Sequence, residues 1–148
     1  MQTKINWFEI PSADFARATR FYETLFDTSL KIEEGTADLM KMAIFSDPAG
    51  ESCGSVTHSE HYKPSSSGTM IYLDAGPSID TVIQRITPAG GKVYLPKTQL
   101  PDDIGYIAHF HRYRRQSDRP ARHAVRQTRR TTGNWTCLLY TSPSPRDS

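Results

Sequence analysis

Apolar and polar positions follow two periods along this chain, and one succession of elements occurs twice. Residues 5–10 are rich in aromatic and β-branched side chains and end at Pro11, which is typical of a strand. From Phe15 the apolar residues recur at helical spacing, which predicts an amphipathic helix capped by Ser12. Its predicted buried face consists of Phe15, Ala18, Phe21, Tyr22 and Leu25. Three further strands are predicted, at residues 29–33, 39–45 and 52–57.

The second succession begins after a polar stretch, residues 58–67, which is typical of a linker. Residues 69–74 predict a strand, and Ser78 caps a helix that ends at Pro88. The predicted buried face of that helix consists of Ile79, Val82, Ile83 and Ile86. Two strands follow, at residues 91–95 and 105–110. The pattern therefore predicts an α+β fold of two tandem βαβββ modules, the second without its last strand.

The charge of the chain changes sign near residue 110. Up to Phe110 there are nine Lys and Arg against fourteen Asp and Glu, whereas from His111 onward there are nine Arg against two Asp. The hydrophobic content of 36% is low for a chain that is globular throughout. We therefore expect one domain over residues 1–110, with modules at 1–57 and 68–110, and a remainder that does not belong to it.

The sequence contains neither a disulfide framework nor a membrane segment. Cys53 and Cys137 are the two cysteines, and such a distant pair forms no metal knuckle. No signal peptide opens the chain, and no apolar run approaches the roughly 20 residues of a membrane span. We expect a cytoplasmic protein with no membrane partner.

Three stretches of the chain resemble the glyoxalase/bleomycin-resistance/dioxygenase superfamily, also called VOC. They are residues 7–26, which contain FEIP, residues 68–95, which contain AGGKV, and residues 105–110. The resemblance implies that the two modules form a U-shaped mixed sheet around a pocket, often in a homodimer. It also implies a small organic ligand, because members include lyases, isomerases, ring-cleaving dioxygenases and drug-binding proteins.

The resemblance also indicates where metal-dependent members carry their ligands. Trp7 occupies the first of these positions, a residue within 55–57 the second, and Thr69 or Met70 the third. A divalent metal needs imidazole or carboxylate there, so we expect no metal cofactor. The alternative to this expectation is a protein that binds a divalent metal as its cofactor. Residues 58–61 (HSEH) have the composition of a metal cluster, but a linker offers it no rigid scaffold.

The residues after Phe110 depart from the usual ending of the superfamily, Asp-Thr-Glu-Gly-Asn followed by a strand. Removing one base from codons that spell residues 111–122 gives Ile-Asp-Thr-Glu-Gly-Asn-Arg-Ile-Gly-Leu-His. We therefore interpret residues 111–136 as frameshifted and expect them to be irregular. Residues 137–148 (CLLYTSPSPRDS) match one frame of a transposase sequencing adapter. The alternative is that these residues after Phe110 form an arginine-rich arm that binds nucleic acid. If they are frameshifted, we expect no nucleic-acid partner.

Strand alternation selects the candidate site residues. On the first strand it sends Phe8 and Ile10 to the helix and leaves Trp7 for ligand binding and Glu9 as a candidate catalytic base. The alternative for Glu9 is a half-exposed strand glutamate.

On the fifth strand, alternation leaves Met70, Tyr72 and Asp74 for ligand binding, although Met and Tyr at such positions are often plain pocket lining. His109, on the last predicted strand, is the second candidate catalytic residue. A lone strand histidine is more often structural.

Three functions follow from these observations. The first is a VOC protein that binds a small organic molecule in a metal-free pocket. The second is a metal-dependent glyoxalase-like lyase or dioxygenase. The third is an arginine-tailed nucleic-acid-binding protein.

Overall fold

The computed structural model describes residues 5–35, 40–61, 63–65, 67–112, 122–128 and 140–141. The chain folds as two compact units, and their boundary lies between Pro64 and Ser65, inside the predicted linker. We call the unit before this boundary the first module and the unit after it the second module. Neither helix among the described residues is long and apolar enough to span a membrane.

The first module has a four-stranded mixed sheet and one helix. Its elements are β1 (Glu9–Pro11), α1 (Phe15–Phe26), β2 (Lys31–Glu34), β3 (Lys41–Ser46) and β4 (Ser52–His58). The strand order is β1-β4-β3-β2, with β1 parallel to β4 and the other pairs antiparallel. This is the predicted βαβββ succession, although β1 begins four residues later than predicted and the other strand ends are displaced by up to two residues.

Aromatic side chains form much of the first module's core. Phe8 stacks on Phe45 with ring centroids 5.7 Å apart, and Tyr22 meets the same Phe45 ring edge-on at 5.5 Å. Gly54 lies under Phe8, and a Cβ atom at this position would overlap the Phe8 ring. Phe8 and Ile10 are buried while Trp7 is 37% exposed, so the predicted alternation on the first strand is confirmed.

Helix α1 is capped by Asp14, and the prediction that Ser12 caps it is wrong. The Asp14 carboxylate accepts a hydrogen bond from the backbone N–H of Arg17 at 3.1 Å, because Asp14 directly precedes the first helical residue. Ser12 is buried, and both its hydroxyl and its backbone N–H donate to the carbonyl of Thr57, at 3.2 and 2.9 Å. Ser12 therefore extends the pairing of β1 with β4.

The second module repeats the arrangement with a five-stranded sheet. Its elements are β5 (Ile71–Asp74), α2 (Ile79–Ile86), β6 (Lys92–Gln99), a 3-10 turn (Pro101–Asp103), β7 (Gly105–His111), β8 (Arg122–Thr128) and β9 (Tyr140–Thr141). The strand order is β6-β7-β8-β5-β9, and β8 is parallel to β5 and antiparallel to β7. The described residues thus contain two βαβββ modules, which confirms the predicted α+β fold.

The expectation that the second module lacks its last strand is wrong. Strand β8 occupies that place, and Ala124 and Val125 are fully buried in it. The two arginines of β8 do not prevent a strand, because the residues between them can be buried. His123 and Val125 are buried on the face toward α2, and Ala124 is buried on the opposite face. Residues 113–121, 129–139 and 142–148 lie outside the described part, as does most of the proposed adapter-derived tail. The frameshift hypothesis concerns the nucleotide sequence and stays a prediction.

Strand β8 is attached to the start of α2. Ser78 caps this helix as predicted, since its hydroxyl accepts from the N–H of Thr81 at 3.4 Å. The side-chain oxygen of Gln127 accepts from the N–H of Ile79 at 2.8 Å, and its amide nitrogen donates to the carbonyl of Pro77 at 3.0 Å. One face of β8 therefore lies toward α2.

Candidate functional site

The second module's sheet gathers polar and aromatic side chains on the face opposite α2. Val125 pairs in register with Leu73 and Ala108 on the α2 side, so the neighbouring residue Ala124 and its register partners lie on the other side. We call this surface the Tyr72–His109 face. Its members are Tyr72, Tyr94, His109, His111, Ala124 and Arg126.

A hydrogen bond joins the two side chains at the centre of this face. The Tyr72 hydroxyl lies 2.9 Å from Nε2 of His109, and the His tautomer decides which of them donates. Their rings meet edge-on at 5.5 Å. Burial raises the pKa of Tyr72, and the nearby Arg126 guanidinium partly opposes that rise. Tyr72 therefore stays a neutral phenol at physiological pH and can both donate and accept a hydrogen bond.

The aromatic contacts continue from His109 across β6 and β7. The Tyr94 ring lies 5.5 Å from that of His109 and stacks on that of His111 at 4.5 Å. Tyr94 is 37% exposed, whereas both histidines are half-buried. The face thus combines a hydrogen-bonding pair with accessible aromatic surface, which suits the recognition of a small organic molecule.

The other predicted residues of the second module lie at the ends of β5. Met70 precedes the strand and is half-buried. Asp74 ends it, and its Oδ1 accepts the N–H of Gly76 at 2.8 Å, so this oxygen holds a turn. Six residues are predicted as site residues. Among the described contacts, Tyr72 and His109 are the two of these six that touch each other.

Trp7 and Glu9 belong to the first module. Trp7 precedes β1, and Glu9 is half-buried in β1, in register with Ser55 of β4. The hydroxyls of Ser55 and Thr57 are fully buried and bond to each other at 2.7 Å. His58 has a structural contact, since its Nδ1 lies 2.9 Å from the carbonyl oxygen of Ser12.

Sequence reasoning missed Tyr94, His111 and Arg126. The signal for Tyr94 and His111 was present, because Tyr94 lies within a predicted strand and His111 is two residues after His109, on the same face. His111 and Arg126 both belong to the segment interpreted as frameshifted. The position of Arg126 follows from the pairing of β8 with β5 and β7, which the sequence pattern did not predict.

Among the described residues, no group of three His, Cys, Asp or Glu side chains is arranged to hold a metal ion. His109 and His111 share a face, but Nε2 of His109 already bonds to the Tyr72 hydroxyl. No chemical step is therefore assigned to a metal.

Comparison with solved structures relates this architecture to known proteins. A glyoxalase I mutant from Zea mays matches with a TM-score of 0.54 and 14% identity, over 82% of this chain and 45% of that one. A glyoxalase/bleomycin resistance protein from Albidiferax ferrireducens matches with a TM-score of 0.52 and 17% identity, over 84% and 98%. A mutant of the fosfomycin resistance protein FosX from Listeria monocytogenes matches with a TM-score of 0.53 and 12% identity, over 87% and 95%.

These similarities, all below 25% identity, show a shared fold. This chain spans less than half of the maize protein. No protein-family model and no curated protein matches the sequence. The chain therefore has the glyoxalase/bleomycin-resistance fold, and its chemistry has to be argued from its own residues.

Proposed function

We propose that this protein binds a small organic molecule on the Tyr72–His109 face without a metal ion. The observation that carries the proposal is the 2.9 Å hydrogen bond between the Tyr72 hydroxyl and His109 Nε2, with both side chains half-buried. Tyr72 and His109 fix each other's orientation through this bond. A few fixed polar groups beside apolar and aromatic surface are the usual composition of a small-molecule site. Tyr94 adds that aromatic surface.

We assign separate roles to the members of the face. Tyr72 orients the His109 ring through their hydrogen bond, and His109 is the group that would accept a proton in any reaction of the bound molecule. Met70 and Asp74 flank Tyr72 along β5 and are proposed as ligand contacts. Trp7 as a ligand contact and Glu9 as a catalytic base remain proposals based on the first strand alone, as do the homodimer and the cytoplasmic location.

A binding screen with matched tyrosine variants tests the proposal. Small aromatic and aliphatic compounds would be screened by ligand-observed NMR against the full chain, Tyr72→Phe and Tyr106→Phe. Tyr106 lies on the same sheet but contacts Lys97, whose Nζ is 4.4 Å from its ring centroid. We expect hits whose affinity falls about tenfold in Tyr72→Phe, the value of one good hydrogen bond. Hits that respond equally to both variants, or no hits, would contradict the proposal.

The metal-dependent lyase or dioxygenase is the alternative function. The FosX structure named above was complexed with Mn(II), so metal binding occurs within this fold. For this chain we expect elemental analysis to find no stoichiometric Zn, Ni, Mn or Fe after purification without chelators. About one metal ion per chain, lost on replacing Glu9 or His109 with alanine, would establish the alternative.

The nucleic-acid-binding hypothesis has less support. Arg122 and Arg126 belong to β8, which lies between β5 and β7 inside the sheet and is not a free arm. We expect weak DNA retention that disappears at about 0.2 M salt, as for nonspecific contacts between arginine and phosphate. Retention that is sequence-selective and depends on residues 129–148 would favour the arm.

A further inference from the structure

We infer that the molecule bound on the Tyr72–His109 face is an organic carboxylate, and that Arg126 is the residue that selects its charge. The inference rests on the proposed function and adds the ligand's chemical class and a residue that sequence reasoning did not identify. It requires the Arg126 guanidinium and the Tyr72–His109 pair on one face of one module, each placed by strand register.

Strand register places Arg126 on this face. Arg126 follows Ala124 by two residues on β8, so both side chains project from the same side of the sheet. Ala124 pairs with Tyr72 on one side and with His109 on the other, while Arg126 pairs with Asp74 and Ile107. Arg126 is thus one pleat along from the Tyr72–His109 pair, and it is half-buried.

The charge of Arg126 reaches the hydrogen-bonded pair. The guanidinium acts on Tyr72, whose pKa it lowers against the larger effect of burial, which raises that pKa. A cation close enough to stabilise a phenolate is close enough to stabilise a carboxylate bound beside the same hydroxyl.

The donors on the face suit an acceptor ligand. Arginine offers a planar fork of N–H groups that matches a carboxylate, and the hydrogen-bonded Tyr72–His109 pair offers one further N–H or O–H, the tautomer of His109 deciding which. Asp74 is the acidic neighbour, and one of its oxygens is held by the N–H of Gly76. His111 lies on the same face, with its ring stacked on that of Tyr94. The ring surface of Tyr94 suits the ligand's carbon skeleton.

The test compares two probes with the same skeleton and different charge. Phenylacetate and phenylacetamide would be titrated into isotopically labelled full-length protein, and affinities taken from shifts of the Tyr72, Tyr94 and His109 signals. The variants are Arg126→Gln, which removes the charge, and Arg126→Lys, which keeps it. Arg85→Gln on α2, on the opposite side of the sheet, is the matched control.

The native chain should bind the carboxylate at least tenfold more tightly than the amide, the usual range for a charge-assisted hydrogen bond. Arg126→Gln should bring this ratio close to one by weakening the carboxylate and leaving the amide unchanged. Arg126→Lys should retain part of the preference, and Arg85→Gln all of it. The ratio between probes is insensitive to a general loss of stability, and Arg126→Lys covers the case in which Arg126→Gln fails to fold.

Three outcomes would overturn the inference. If both probes bind equally and Tyr72→Phe weakens both, the face binds organic molecules without selecting charge, and the proposed function stands. A carboxylate preference that survives Arg126→Gln would remove Arg126 from the site. If neither probe shifts any signal of the face, both the inference and the proposed function are contradicted.

Discussion

The Tyr72 hydroxyl and the His109 imidazole meet across an intervening strand because the residue between them is Ala124. In the register of the sheet, Tyr72 of β5 pairs with Ala124 of β8, and Ala124 pairs with His109 of β7. Ala124 is fully buried and its methyl group leaves room for the two larger side chains to bridge above it. A small residue on a strand thus determines whether the two larger ones can touch.

Replacing Ala124 with leucine should therefore separate Tyr72 from His109. We expect ligand binding on the face to fall about tenfold, together with a loss of about 1–3 kcal/mol in the free energy of unfolding from overpacking. Denaturant unfolding and probe titration measure the two effects. Ala108→Leu is the control, because Ala108 is also fully buried but faces α2. Equal loss of binding in both variants would mean that stability alone is responsible.

His123 should make the second module sensitive to acid. It is buried, and burial lowers its pKa well below the usual 6.5, with the positive charges of Arg112 and His111 contributing. Below pH 6.5 His123 is protonated in the unfolded chain but stays neutral in the folded chain. The free energy of unfolding therefore falls as the pH falls. The slope is up to about 1.4 kcal/mol per pH unit until the folded-state pKa is reached.

The variant His123→Leu should therefore flatten the pH dependence of the free energy of unfolding between pH 6.5 and 4.5. His61→Leu is the matched control, because His61 is exposed. Urea unfolding at several pH values measures the slopes. An unchanged slope in His123→Leu would show that another group takes up the proton.

Gly54 should be irreplaceable while Phe8 is present. An alanine Cβ at this position would overlap the Phe8 ring, and moving the ring would disturb its stacking on Phe45. We expect Gly54→Ala to cost about 1–3 kcal/mol of stability. In the double variant with Phe8→Ala this cost should largely vanish, which a double-mutant cycle measures. Additive losses would show that the backbone, and not the ring, needs glycine there.

Trp7→Ala should weaken the binding of apolar ligands, whereas Lys41→Ala should not. Trp7 carries exposed aromatic surface next to β1, and Lys41 is an exposed cation at the start of β3. Isothermal titration with any hit from the screen distinguishes them. Equal effects would mean that the faces of the first sheet are assigned wrongly.

The reading frame after Phe110 gives a prediction about the gene. If genomic DNA encodes the Asp-Thr-Glu-Gly-Asn ending, as the frameshift predicts, the chain that it specifies lacks Arg126 and should melt at a higher temperature than the chain described here. The ending described here buries Arg112 and His123, and burying such groups is costly. Genomic DNA that encodes the arginine-rich segment in frame, or equal melting temperatures, would contradict the frameshift.

Periodicity was enough to predict most of the fold. The faces of α1 and α2 and the β-strands up to β7 follow from spacing, because burial on one side of an element leaves a repeating pattern. Strand β8 did not follow, because seven residues with two arginines carry too weak a pattern to outweigh charge density. The cap of α1 lies two residues after the predicted Ser12, because Ser12 and Asp14 are both residue types that cap helices.

The candidate site was predictable residue by residue but not as an arrangement. Alternation selected Tyr72 and His109 separately, on strands far apart in sequence. Their contact depends on register through β8, and the sequence holds no local signal for that pairing. For the same reason Arg126 could not be placed beside them. Distances between side chains on different strands require the assembled sheet.

The parallel pairing of β5 with β8 has a consequence for how the protein is made. The N–H of Ile79 donates to Gln127, which lies 48 residues later in the chain. Strand β5 is separated from its partner β8 by a similar number of residues. During translation the first module can complete its sheet once His58 has emerged, whereas the second holds an incomplete sheet until Thr141 follows. A ribosome that pauses in this interval would display the open side of β5 to chaperones and to neighbouring nascent chains.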